Sequence, residues 1–247
     1  MFICVAGKNS CSLDVLKYLI SRKINKKNIL VIPNQSDNGR DGWQPSLKRF
    51  SKKNKFKIVK MDDIYKLKDL FFFSIEYEKI IKVNKFKSKN LFNIHFSLLP
   101  KYRGCHTNFY QIYNGEKKSG VTLHKIDSGI DTGNIIDQIK FNINMNDTAF
   151  DNYLKLMKYS VIIFKKNLNK ILKNKYSFKK QELYKGSYYS RKSIDYKKMK
   201  KFENFENSLT FHNKVRSFIF PPFQLPIVNG RKIKRSLFKN KKVYLYD

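Results

Sequence analysis

Residues 2–33 are FICVAGKNSCSLDVLKYLISRKINKKNILVIP, a strand, loop, helix and second strand in succession. FICVA (2–6) is a short apolar run, Gly7-Lys8-Asn9-Ser10 a glycine-containing loop, and Leu13 to Ile20 an amphipathic segment with Ser12 and Asp14 near a helix start. ILVIP (29–33) follows as a second strand, and its continuous β-branched run suits a parallel strand covered on both faces. The same alternation continues outward. NQSDNGRDGW is a polar loop, LKRFSKKN a helix and FKIVKM (56–61) a short strand. Asp62 is placed to cap a helix from Asp63 to Leu70, and DLFFFSIEY (69–77) supplies a further apolar strand. Strands alternating with helices predict an α/β fold with a doubly wound, mostly parallel sheet, joined by right-handed crossovers. Ligands of such sheets sit beyond the carboxyl ends of the strands. The loop at Lys8 can offer amides and a cation to an anion at a helix N-terminus, although no GxGxxG or Walker pattern follows it.

The second informative stretch runs from Asn93 to Asp137, NIHFSLLPKYRGCHTNFYQIYNGEKKSGVTLHKIDSGIDTGNIID. Asn93 and His95 alternate with Ile94 and Phe96 at the period of a strand, so the two polar side chains share a face. Ser97-Leu98-Leu99-Pro100 ends that strand, and the Gly-rich turn Asp127 to Gly133 joins two further strands, GVTLHKI (120–126) and IIDQIKFNI (135–143). An Asn, a His and an Asp on a strand end and a glycine-rich loop make an acid/base constellation. Asn108 to Tyr113 reads as a helix. His124 lies in an alternating strand, in a structural or substrate-adjacent position. His106 follows Arg103-Gly104 in the site loop, and His212 falls on a predicted helix surface.

Asp147-Thr148 caps a long helix from about Ala149 to Asn174, whose Tyr153, Leu156, Met157, Val161, Phe164 and Leu168 follow helical spacing and read as core. ENSLTFHNKVRSF is helical, LPIVN and KIKRS flank the Asn229-Gly230 turn as a hairpin, and KKVYLYD closes the chain as a strand.

With 247 residues the chain can bury a sizeable core. No apolar run is long enough to span a membrane, and MFICVAGKNS lacks the pattern of a signal peptide. The three cysteines, 4, 11 and 105, lack metal-ligand spacing and fit a reducing cytoplasm, where the protein is expected to reside. The formal charge of +33 comes from 52 basic and 19 acidic residues. A basic surface captures nucleic acid through phosphate contacts, which keeps an RNA-binding protein among the alternatives. The lysines are scattered, however, and rise together with Asn, Ile, Phe and Tyr. A compositional bias accounts for that pattern, and the field also favours an anionic small substrate.

Taken together, Asn93-x-His95, Ser97-Leu98-Leu99-Pro100, Arg103-Gly104 and the Asp127–Gly133 loop resemble the 10-formyltetrahydrofolate-dependent formyltransferases. The resemblance covers roughly Phe92 to Gln138 closely. It implies Asn93, His95 and Asp131 as the catalytic trio and 10-formyltetrahydrofolate as donor, with no metal. It places Tyr77, Ser97, Leu98, Leu99, Arg103, Asp127 and Gly129 at the folate. The tail, with Phe220-Pro221-Pro222-Phe223 after Arg216, is similar to the nucleotide-sugar N-formyltransferases. The implied acceptor is a dTDP-linked 4-amino-4,6-dideoxyglucose destined for an O-antigen or other surface glycan, with a 3-amino isomer as alternative. A methionyl-tRNA formyltransferase shares the motif but carries a longer C-terminal barrel. Nucleotide binding calls for basic and aromatic side chains, and Lys8, Asn9, His106, Tyr189, Arg191, Lys192, Arg216 and Phe220 are the candidates. The expected division is a catalytic domain over 1–178 and an extension over 179–247 that helps bind substrate. Its hairpin edges point to a homodimer.

Overall fold

The computed structural model describes all 247 residues, Met1 to Asp247. In chain order the first elements are β1 (Phe2–Gly7), α1 (Asn9–Ser21), β2 (Ile29–Pro33), α2 (Leu47–Lys53), β3 (Lys57–Ile58), β4 (Leu70–Ile75) and β5 (Asn90–His95). Then come β6 (Arg103–Gly104), α3 (Thr107–Tyr113), β7 (Lys118–Lys125), β8 (Ile135–Asn142), α4 (Ala149–Leu172), β9 (Tyr188–Tyr189) and α5 (Tyr196–Met199). The tail holds β10 (Lys201–Phe202), α6 (Leu209–Ser217), β11 (Ile227–Val228), β12 (Arg231–Lys232), β13 (Arg235–Lys239) and β14 (Lys242–Tyr246). The chain forms two compact units, one of Met1–His95, Val121–Ile139 and Met157–Tyr184, the other of Phe96–Gly120, Lys140–Leu156 and Lys185–Asp247. No single cut in the sequence separates them.

The main sheet has the order β3-β2-β1-β4-β5-β7-β8. β1 pairs in parallel with β2 and β4, β2 with β3, and β4 with β5, whereas β7 runs antiparallel to β5. This is the doubly wound α/β sheet that the alternation predicts, with an antiparallel end. β4 is buried along its whole length and β1 in all but its first residue, which is why they read as unbroken apolar runs. One sheet face collects Cys4, Ala6, Leu30, Ile32, Leu70, Phe72 and Leu91. On the other, Phe73 stacks on Phe92 at 5.3 Å and meets Phe164 of α4 edge-on at 5.0 Å. The chain winds outward from β1 to β3 and then returns to the other side of β1, so the strand order reverses between β1 and β4. There Gly7 lies so close to the Ile75 carbonyl that a Cβ would sit 1.9 Å from its oxygen, and only glycine fits.

Two expected elements differ. The helix over Asp63 to Leu70 is a 3-10 turn over Met61–Ile64. The stretch before β4 is too short and too poor in packing surface to repay helix nucleation. The third strand shrinks from 56–61 to Lys57–Ile58, both exposed on the sheet edge, where short charged strands discourage further pairing.

In the second unit, Gln111 is fully built in. Its Nε2 donates to the Phe96 carbonyl at 3.1 Å, and its Oε1 accepts from Ser119 Oγ at 2.6 Å and Asn152 Nδ2 at 2.8 Å. Phe211, Val215, Val228, Ile233 and Val243 form the core beneath the tail. The Asn229-Gly230 turn joins β11 and β12 as expected, with both residues at positive φ. The expected KIKRS strand is split, Lys232 ending β12 and Arg235 opening β13, which pairs with the closing strand β14.

Candidate active site

The polar cluster of the first unit is built where β5 ends and the β7–β8 loop returns. Asn93 and His95 sit two residues apart on β5, so the pleat turns both to one face. Asp131 lies in the loop with φ of 54°, a left-handed conformation that is uncommon outside glycine, though Asp adopts it more readily than most residues. One carboxylate oxygen, Oδ1, accepts from Asn93 Nδ2 at 3.1 Å. The other, Oδ2, lies 3.4 Å from His95 Nδ1. His95 is 8% exposed and the Asp131 side chain 13%, so an imidazolium formed here would face its counter-charge with little water between.

His124 is a fourth member that sequence reading left between a structural and a substrate-adjacent role. It pairs across from Asn93 in the β5–β7 register. Its Nδ1 lies 2.7 Å from the Lys125 carbonyl, which can only accept, so the hydrogen is on Nδ1 and Nε2 presents a lone pair. That lone pair takes Asn93 Nδ2 at 3.1 Å. Both hydrogens of the Asn93 amide are therefore engaged, one by Asp131 and one by His124. The strand register carried this signal, since His124 must face the same way as Asn93 once the strands pair.

The loop itself is stapled. Asp127 Oδ1 accepts from Gly129 N at 3.1 Å and from Thr132 Oγ1 at 2.7 Å. Asp127 and Gly129, expected at the folate, are exposed on this loop and shape it. Gly133 presses on the Lys125 carbonyl, where a Cβ would meet the oxygen at 1.9 Å. Gln181 Nε2 then donates to the carbonyls of Asp131 at 3.0 Å and Gly133 at 2.6 Å. Sequence reading missed Gln181, because a glutamine in a polar stretch after a helix carries no pattern of its own.

Of the other expected residues in this unit, Lys8 occupies the N-cap position of α1. Asn9, at φ of 63°, donates to Glu76 Oε2 at 2.9 Å, and Glu76 also has positive φ. The pair stands where the strand order reverses, the position at which ligands of doubly wound sheets bind. Tyr77 follows and packs on the Cys4 face of the sheet, where burial raises its phenol pKa.

The second unit holds the remaining candidates. Ser97 and Leu99 are buried, Leu98 is half-buried, and Ser97 Oγ donates to the Lys101 carbonyl at 2.6 Å. Arg103, on β6, has a buried Nε with no hydrogen-bond partner. His106 donates from Nε2 to the Arg191 carbonyl at 2.9 Å and accepts from the Tyr196 hydroxyl at 3.1 Å. Tyr189 stacks on Tyr110 at 3.7 Å and on Tyr102 at 5.8 Å. Arg191 and Lys192 are exposed beside this group. Phe220 packs against Phe150 and Tyr153 and stacks on Phe223, itself 71% exposed.

Two residues lie deeper than the sequence suggests. Arg216 is 2% exposed and its guanidinium donates to the Asp147 and Asn144 carbonyls and Asn213 Oδ1, so it ties loops together. Burial lowers its pKa to about 10. His212 is fully buried, not on a helix surface. Nε2 donates to the Met145 carbonyl at 2.9 Å and Nδ1 accepts from Ser236 at 2.8 Å. The helical pattern around it was too polar to show which face the tail would cover.

No group of three or more His, Cys, Asp or Glu is arranged to hold a metal, and no helix is long and apolar enough to cross a membrane. Burial pushes the thiols of Cys4 and Cys11 far up, which removes them as nucleophiles.

Residues 1–168 match the family model described as Formyl transferase. Among solved structures, the chain is 48% identical to WlaRD, a sugar 3N-formyl transferase crystallised with dTDP and 5-N-formyl-THF, with a TM-score of 0.93 over 97% of this chain and 87% of that one. It is 45% identical to an N-formyltransferase from Helicobacter canadensis in complex with folinic acid and dTDP-3-aminofucose, with a TM-score of 0.93 over 97% of this chain and 89% of that one. Over 128 residues, 51% of the chain, it is 43% identical to the bifunctional polymyxin resistance protein ArnA of Wigglesworthia glossinidia brevipalpis, and this match spans only 20% of that relative's length.

Proposed function

We propose, from the premise that this chain belongs to the formyl transferase family, that it moves a formyl group from 10-formyltetrahydrofolate to the amine of a dTDP-linked amino sugar. The observation that carries this reading is the 48% and 45% identity, over 97% of the chain, to two sugar N-formyltransferases seen with dTDP compounds and formylated folates. Both of those proteins are described with a 3-amino position or a 3-aminofucose ligand. That favours a 3-amino sugar over the 4-amino isomer that the tail alone implied.

The donor supplies an electrophilic formyl carbon on a nitrogen that must leave. The sugar amine forms the new C–N bond, and the bond to the donor nitrogen breaks after a tetrahedral oxyanion. One proton leaves the amine and one reaches the departing nitrogen. His95 is the group to carry it, because Asp131 Oδ2 lies 3.4 Å from Nδ1 and stabilises the imidazolium while Nε2 works on the reacting atoms. A positioned acid or base contributes about 10²–10⁴-fold. Asn93 is the candidate donor to the oxyanion. Its two amide hydrogens are held by Asp131 and His124, so that role requires exchanging one of them as the intermediate forms. Lys8, Asn9 and the group of His106, Tyr189, Arg191 and Lys192 are proposed for the nucleotide. The +33 charge supports capture of a nucleoside diphosphate.

The test is a panel of dTDP-, UDP- and GDP-linked 3- and 4-amino sugars assayed with 10-formyltetrahydrofolate, together with charged initiator tRNA. Formylation of a dTDP-3-amino sugar is the expected result. Activity on the tRNA and on no sugar nucleotide would replace this reading with the methionyl-tRNA one.

A further inference from the structure

We infer that Gln181 is a positioning residue for catalysis, one that sets the Asp131 carboxylate through its backbone; this rests on the assignment of Asp131 to formyl transfer. Gln181 is 7% exposed, in the segment after α4. That segment is registered against the loop by an antiparallel bridge between Lys179 and Ile135, with reciprocal hydrogen bonds of 2.8 and 2.7 Å. Two residues on, a backbone pairing would ordinarily continue. Here the Gln181 side chain takes over and donates from Nε2 to the carbonyls of Asp131 and Gly133 at 3.0 and 2.6 Å.

The chemistry fixes which way round the amide sits. Both partners are carbonyl oxygens, which only accept, so the NH2 must face them. The other end, Oε1, is buried with no hydrogen-bond partner. A buried unpaired acceptor is costly, and an apolar side chain of similar shape would avoid that cost. The arrangement is understandable if the two donors do something an apolar residue cannot. What they hold is the backbone on either side of Thr132, including a residue at φ of 54° whose side chain contacts both Asn93 and His95. Asp127 secures the outer part of the loop through Gly129 and Thr132, and Gln181 secures the inner part through the Asp131 and Gly133 carbonyls. Releasing that carbonyl lets the residue rotate toward ordinary φ, which swings its carboxylate away from His95. Misplacement by about 1 Å costs on the order of 10²-fold in rate.

The experiment is a double-mutant cycle of Gln181→Met, which keeps the length and loses both donors, with Asp131→Asn. In the wild-type background Gln181→Met is expected to lower kcat by roughly 10- to 100-fold with KM for donor and acceptor nearly unchanged. In the Asp131→Asn background it is expected to cost little more, because the group it positions is already disabled. A full, additive loss in both backgrounds, a loss confined to KM, or no loss in wild type would each overturn the inference. A role in stability alone lowers Tm without producing this non-additivity. If Gln181→Met does not fold, Gln181→Ala carries the same cycle. If the wild-type protein formylates none of the panel, hydrogen exchange of the 127–134 amides decides instead. Faster exchange confined to that loop in Gln181→Met supports the inference, and unchanged exchange sinks it, whatever the acceptor proves to be.

Discussion

His95 and His212 are both buried histidines with polar neighbours, one in each unit, yet they are placed for opposite ends. His212 is enclosed by neutral partners, the Ser236 hydroxyl and the Met145 carbonyl, with the Arg216 cation nearby. Burial lowers its pKa and Arg216 adds to the effect, against the opposing Met145 hydrogen bond, and the ring bridges the Met145 carbonyl and Ser236. His95 faces a carboxylate at 3.4 Å, at the end of a strand, beside a loop residue kept in a left-handed conformation. His212 therefore sits among neutral partners and a cation, and His95 beside a carboxylate. Burial and hydrogen bonding do not make a histidine catalytic; the charge of its partner decides what it can carry.

The largest effect is expected at His95. His95→Ala is expected to lower kcat by about 10²–10⁴-fold while leaving the melting temperature close to wild type. Near wild-type turnover would remove His95 from the chemistry. In the other unit, Arg216→Met leaves the Asn144 and Asp147 carbonyls and Asn213 Oδ1 without their donor, and stability is expected to fall by about 3 kcal/mol in urea unfolding. Nucleotide affinity of the folded protein should be unchanged. If affinity dropped instead and stability held, Arg216 would be a ligand after all.

His212 gives a smaller, pH-dependent effect. Its folded-state pKa lies below the ordinary value of about 6.5, so the unfolded chain binds the extra proton first on acidification. Its contribution is therefore intact above about pH 6.5 and is lost as pH falls below that value. Melting curves between neutral and mildly acidic pH should show a shallower decline for His212→Gln than for wild type. An identical slope would mean that other groups dominate the acid limb. Smallest of all should be Arg231→Ala at the exposed Arg231–Asp247 pair, with less than about 1 kcal/mol and no change in turnover.

The parallel core was legible because β1, β2 and β4 are buried on both faces and must be written in apolar residues. Asn93 and His95 were legible for the converse reason: two polar residues at strand spacing interrupt a buried strand that packing alone would fill with aliphatics. The 61–64 turn was misread because Asp62-Asp63 resembles a helix start whether or not enough chain follows to make one. The burial of Arg216 and His212 was not legible because sequence records a side chain's charge and not the surface that closes over it.

The sheet's class and the shared face of Asn93 and His95 can be read from the sequence alone, since both depend on residue chemistry at fixed local spacing. Tertiary contacts alone bring His124 to Asn93 and Gln181 to the Asp131 carbonyl, and bury Arg216. Those placements depend on strand register and on segments brought together across the chain. The Gln181 bond to the Asp131 carbonyl spans fifty positions, and no local pattern encodes a partner that distant.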